Sequence, residues 1–248
     1  MRTKFLTILA VSLLVAPPVA TAELVQAGVA NILTFRDCIS GESICDSFGP
    51  MEQATFGGVP GELAAEVSQA DVAYGEAYGN AQLTGDPGAA ELKAITTSAP
   101  ATRNGSTSVM LQHYTNTSES AETLTFGASL TYKQTVPAEN ASFPDGESTR
   151  SGVSAEIAVF IMDDDAIETG ATAEDLYSAL SFENEPAGFK DLGFTSVAPS
   201  DNETGEGTAP LVVTATVEPG DSIWLRAILQ GLVVNGATVN ASLTTNLQ

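Results

Sequence analysis

Thr123-Leu124-Thr125-Phe126-Gly127-Ala128-Ser129-Leu130-Thr131-Tyr132-Lys133 sets Leu124, Phe126, Ala128, Leu130 and Tyr132 against a polar set of threonines, Ser129 and Lys133. Successive side chains on a strand point to opposite faces, so this period of two predicts an antiparallel strand with one face on a core and the other in water. The period recurs in Val153, Ala155, Ile157, Val159 and Ile161, and in Leu211, Val213, Ala215 and Val217. It returns in Ile223, Leu225, Ala227 and Leu229, and in Ala237, Val239, Ala241 and Leu243. Four earlier segments read as weaker strands: 24–35, a small-residue run over 63–83, 91–97 and 107–116.

Turn chemistry separates these segments, as in Gly85-Asp86-Pro87-Gly88, Arg103-Asn104-Gly105 and Glu218-Pro219-Gly220-Asp221. Asn235-Gly236 tolerates positive φ at both positions and predicts a tight hairpin joining the last two strands as paired neighbours. One short helix is expected over 173–182, with Thr172 as N-cap, Glu174 and Asp175 in the first turn and Leu176 and Leu180 on one face. The expected fold is all-β, an antiparallel two-layer β-sandwich of jelly-roll-like character with about nine strands and that one helix.

The N-terminus has a different grammar. Arg2 and Lys4 precede the apolar stretch 5–16, and Ala20-Thr21-Ala22 places small side chains where a signal peptidase needs them. Residues 1–22 therefore read as a secretory signal peptide, too short in its apolar part to anchor the chain. Residues 23–248 read as a single domain, secreted to the extracellular space or, alternatively, held in the periplasm. Nine Lys and Arg against 31 Asp and Glu give a formal charge of −22, and loss of the leader removes two cations more. Nucleic acid and anionic membrane surfaces are repelled by such a chain, and no later apolar run is long enough to insert in a bilayer. Cys38 and Cys45, the two cysteines, predict a disulfide closing the loop 38–45 in an oxidising compartment.

Candidate sites are few. Asp163-Asp164-Asp165, directly after an apolar strand, offers hard oxygens to a structural Ca²⁺, although Glu168 stands where an EF-hand needs glycine. No other cofactor is expected. His113, the single histidine, shares a face with Val109 and Leu111 and reads as a buried structural residue; Gly152-Val153-Ser154-Ala155-Glu156 is not a GxSxG nucleophile motif. Tyr74 and Tyr78 lie on one face of a strand whose other face is Ala73, Gly75, Ala77 and Gly79. If the small face packs inward, both rings point out, toward a sugar or another copy of the chain; if instead the tyrosines face the core they simply fill volume, the reading that a chain with so few aromatics favours. Trp224 and Arg226 alternate with core residues and so are expected on the face away from the core, as contact residues.

Several segments together resemble the ectodomains of secreted bacterial proteins sorted by a short C-terminal Pro-Glu-Pro (PEP-CTERM) signal or by interchangeable anchors, the choice-of-anchor kind. They are Tyr74-Gly75-Glu76-Ala77-Tyr78-Gly79-Asn80-Ala81, the strands 124–136 and 153–162, the stretch 217–227 with Glu218-Pro219-Gly220-Asp221, and the small/apolar cadence of 236–243. The resemblance implies a β-sandwich with an extracellular matrix or surface role and carries over no catalytic residue. This sequence departs from the pattern in showing no Pro-Glu-Pro, hydrophobic tail or terminal arginines before Gln248, which favours release, or retention through protein contacts.

The expected function is therefore a non-enzymatic structural or adhesive component of the extracellular matrix. Its expected partners are itself or extracellular polysaccharide. A carbohydrate-binding module is the first alternative and a carboxylate-dependent glycoside hydrolase the second, though 31 acids give no specific pairing by sequence.

Overall fold

The computed structural model describes residues 22–37, 46–56, 63–71, 75–84, 88–100, 102–137, 150–163, 188–199 and 203–248. Within them the chain is all-β, twelve strands: β1 (Ala22–Asp37), β2 (Asp46–Phe56), β3 (Ala64–Asp71), β4 (Gly75–Leu83), β5 (Ala90–Ser98), β6 (Thr102–Asn116), β7 (Glu122–Thr135), β8 (Arg150–Ile161), β9 (Lys190–Val197), β10 (Gly205–Val217), β11 (Ser222–Val234) and β12 (Thr238–Leu247). They form two antiparallel six-stranded sheets. Sheet A runs β2-β1-β6-β11-β8-β9 and sheet B runs β10-β7-β12-β5-β4-β3. Between them lies one core, in which Leu124, Phe126 and Leu130 of β7 and Val239 and Leu243 of β12 meet Val153, Ile157, Ile223, Leu225 and Leu229 of sheet A. The alternating segments of the sequence supply these residues, so the sandwich-like layering follows from the period of two.

Twelve strands replace the nine expected, for local reasons. The run 63–83 is two strands, β3 and β4, paired from Ala64↔Gln82 to Asp71↔Gly75. β2 and β9 show no strict alternation in the sequence. Both are edges of sheet A, where one side of the ladder is free and strict alternation is not enforced; β2 carries Gly49-Pro50, and β9 pairs with β8 through an irregularity at Val159/Phe160. The described residues contain no helix, and the helix expected over 173–182 lies outside them.

The hairpin expected at Asn235-Gly236 is corrected. Both residues have positive φ, 57° and 83°, as the turn chemistry demands. Yet β11 goes into sheet A and β12 into sheet B, because both edges of β11 are already taken by β6 and β8. The turn crosses between the sheets and is tied to the neighbouring β5–β6 crossing: Asn235 N donates to Thr102 O (3.0 Å), Ser98 N to Ala237 O (3.1 Å) and Gly236 N to Ser98 Oγ (3.0 Å).

β6 is unusual in turning small polar residues toward the other sheet. Opposite it, β4 and β5 present Ala77, Ala81 and Ala94, all buried, so the two sheets approach closely enough for side chains to reach backbone. Ser106 Oγ donates to Tyr78 O (3.0 Å), Ser108 Oγ to Lys93 O (2.7 Å) and Asn104 Nδ2 to Thr97 O (2.6 Å). A carbonyl has a second lone pair beyond its ladder bond, so these ties satisfy buried hydroxyls without breaking a sheet. Packing the Ala/Gly face of β4 inward in this way turns Tyr78 outward, the branch of the sequence expectation that leaves its ring available.

Candidate functional site: the outer face of sheet B

Two regions collect the residues singled out from sequence, and they differ sharply. The first is the outer face of sheet A. There the expectation for Trp224 and Arg226 is overturned: Trp224 is 0% and Arg226 4% exposed, so neither is a surface contact of the folded chain. Their position on the face away from the inter-sheet core is as expected, but that face is itself buried. Val109, Leu111 and His113 of β6, Trp224 of β11 and Ala158 and Phe160 of β8 form a second apolar layer. Register places Trp224 opposite both His113 and Phe160. The His113 and Trp224 rings stack with centroids 4.3 Å apart and planes 3° from parallel, and Phe160 meets Phe189 at 5.5 Å. His113 is buried, as a structural histidine should be. Arg226 ion-pairs with Glu156 and lies 6.0 Å from the Phe160 ring, so its charge is matched within the layer. A sequence signal for this layer exists: Ile157-Ala158-Val159-Phe160-Ile161-Met162 and Val109-Met110-Leu111 are continuous apolar runs, which mark strands buried on both faces.

Asp163 is exposed at the end of β8, and a Cβ on Gly188 would lie 2.2 Å from its Oδ1, so the chain returns to this point before β9. Asp164, Asp165, Glu168, Tyr74, Cys38 and Cys45 lie outside the described residues. Among the described residues no three His, Cys, Asp or Glu side chains are gathered as a metal site. The hairpin register of β1 and β2 runs to Asp37↔Asp46, the residues flanking the two cysteines.

The second region is the outer face of sheet B, which carries Tyr78 and the polar set of β7. Its central and β10-side strands present short hydroxyl and amide side chains: Thr125, Ser129 and Thr131 from β7, Asn240, Ser242 and Thr244 from β12, Thr208, Thr214 and Thr216 from β10. Lys133 and Glu206 are the only charged residues pointing outward from these three strands, and they pair with each other at 3.4 Å. On a chain of charge −22 this is a neutral face. The acids of the sheet gather at the opposite side, Glu66 on β3, Glu76 on β4 and Glu91 on β5, the last held by Lys93 at 2.9 Å.

Two shallow depressions mark the neutral face. One, about 520 Å³, is lined by residues including Thr131, Tyr132, Lys133, Glu206, Asn240 and Ser242. The other, about 440 Å³, is lined by residues including Thr125, Ser129, Val212, Thr244 and Asn246. Gly127 keeps the second open, since a Cβ there would stand 2.9 Å from Asn246 Oδ1. Val212, 60% exposed, is the apolar rim on β10.

Register fixes a single transverse row through the first depression. Ser68 faces Tyr78, Tyr78 faces Ile95, Ile95 faces Asn240, Asn240 faces Lys133 and Lys133 faces Glu206. Tyr78 is the one aromatic residue pointing outward from this sheet among the described residues. Partial burial and the neighbouring Glu66 carboxylate, to which its hydroxyl hydrogen-bonds, raise the Tyr78 phenol above its ordinary range, so it stays a neutral donor. No protein-family model matches the chain, and no curated protein matches it.

Proposed function

We propose that this protein is a secreted, non-enzymatic structural or adhesive component of an extracellular matrix, built on a jelly-roll-like sandwich and making its contacts through the outer face of sheet B. The observation that carries the reading is the neutral, hydroxyl-rich surface over β7, β12 and β10 on a chain of charge −22. Charge elsewhere keeps copies of the chain and other polyanions apart; the neutral face is where a contact forms without facing that repulsion or stripping water from an ion. Threonine and asparagine there offer both donors and acceptors on a rigid scaffold.

Thr131→Glu combined with Thr244→Glu puts two carboxylates on this face at solvated positions. Stability is expected to change by less than about 0.5 kcal/mol per site, as for other surface substitutions. Retention of the mature protein in the matrix of the cells that make it, measured by pelleting and immunoblot, is expected to fall about tenfold. Equal partition of the two proteins, or a wild-type protein found wholly free in the medium, overturns the reading.

The leader and the Cys38–Cys45 disulfide belong to the same proposal. A ring that short adds about 2.5 kcal/mol by chain entropy, so reduction is expected to lower the unfolding midpoint by several degrees. Intact mass after alkylation without reductant is expected to show no modified cysteine; two modified thiols would remove the staple from the account.

A further inference from the structure

Granted that reading of the face, we propose that the transverse row Tyr78–Ile95–Asn240–Lys133, which runs into it from β4 and β5, is a subsite for an uncharged polysaccharide, with the Tyr78 ring stacking on a sugar and Asn240 bonding its hydroxyls. The inference rests on observations that converge on one row. Tyr78 stands outward and half-buried, and Ile95 lies directly across from it on β5, which together give an apolar strip in an otherwise polar face. A sugar presents an apolar C–H face to such a strip and hydroxyls around it.

The strip leads along the register into the 520 Å³ depression, whose lining of Asn240, Ser242, Thr131 and Thr208 carries no net charge. With strands about 4.8 Å apart, Tyr78 and Lys133 are separated by three spacings, about 14 Å, long enough for more than one ring of an extended chain.

Charge selects among polymers. An anionic polysaccharide meets Glu66, Glu76 and Glu91 beside the strip and the field of the whole chain, while Lys133 is already matched by Glu206. A neutral glycan meets no such repulsion. A second copy of the chain would bring its own acids with it.

The test uses the mature protein with insoluble cellulose, soluble laminarin and dextran as neutral probes and alginate as the anionic one, by pelleting and affinity electrophoresis. At least one neutral glucan is expected to retain the protein, equally in 0.1 M and 0.5 M salt, and alginate is expected not to. Tyr78→Ala is expected to weaken retention about tenfold or more, Asn240→Ala severalfold, and Tyr78→Phe, which keeps the ring, far less. Circular dichroism melts keep the comparison to folded variants. No retention by any neutral glucan, or Tyr78→Ala binding as well as wild type, overturns the proposal. If glucans fail while Thr131→Glu/Thr244→Glu still releases the protein from its matrix or abolishes self-association, the face stands as a contact surface and this occupant is wrong.

Discussion

Trp224→Ala is expected to cost about 3–5 kcal/mol of stability, the range for deleting a fully buried aromatic side chain, and to give the same result as wild type in the glucan assay once the comparison is kept to folded protein. For a chain of this size that is a fall in Tm of roughly 6–20 °C. Trp224 has no exposed surface, stacks face to face on His113 and stands opposite Phe160 on β8, so truncation opens a cavity in a layer bounded by two strands that cannot move toward each other without breaking the ladder. Thermal melts and urea titrations on the mature protein read the effect directly. A Trp224→Ala variant that melts within two or three degrees of wild type yet loses matrix retention would restore this tryptophan as a contact residue.

Gly88→Ala is the second large effect, expected at about 3 kcal/mol. Gly88 has φ +68°, where an L side chain meets its own carbonyl, and a Cβ there would stand 2.6 Å from Leu247 Cβ and 2.8 Å from Leu247 N. The site cannot give way, because it is held from both sheets. Gly88 N donates to Tyr114 Oη at 2.8 Å, Tyr114 Oη donates to Gln112 Oε1 at 2.9 Å, and Thr245 Oγ1 donates to Gly88 O at 2.5 Å. Tyr114→Phe removes the phenol from this knot without touching the turn and is expected to cost about 1–3 kcal/mol by stranding a buried donor. The double variant is expected to lose less than the sum, since both changes break the same hydrogen bond. Additive losses would show the two groups to be independent.

How far the sequence could be read depends on what each residue had to satisfy. Leu124, Phe126, Leu130, Val239 and Leu243 each face one core and water on the reverse, and their period of two is visible at once. The second half of β8 and the first half of β11 are buried on both faces, so alternation gives the wrong answer for Trp224 and Arg226, while the unbroken run Ile157 to Met162 is the true signal. β2 and β9 are edges and obey no strict pattern. Asn235-Gly236 declared its backbone angles correctly but not its partners, because turn residues encode local φ and ψ while sheet membership is decided by which edges are already taken. The polar sides of single strands are legible, but their assembly into one neutral face is not. Thr131, Ser242 and Thr208 come from three separated segments, and only the register of β10, β7 and β12 brings them side by side.

β12 lies at the middle of sheet B, joining the β10-β7 pair to the β5-β4-β3 meander. Until Thr238 to Leu247 have left the ribosome, those two halves have no shared strand, and β7 and β5 each keep an open edge. Assembly of sheet B therefore waits for β12 and is slow, as pairings distant in sequence are. β12 is thus the keystone of the sheet: the two halves stand as the open arms of an arch until it is set between them.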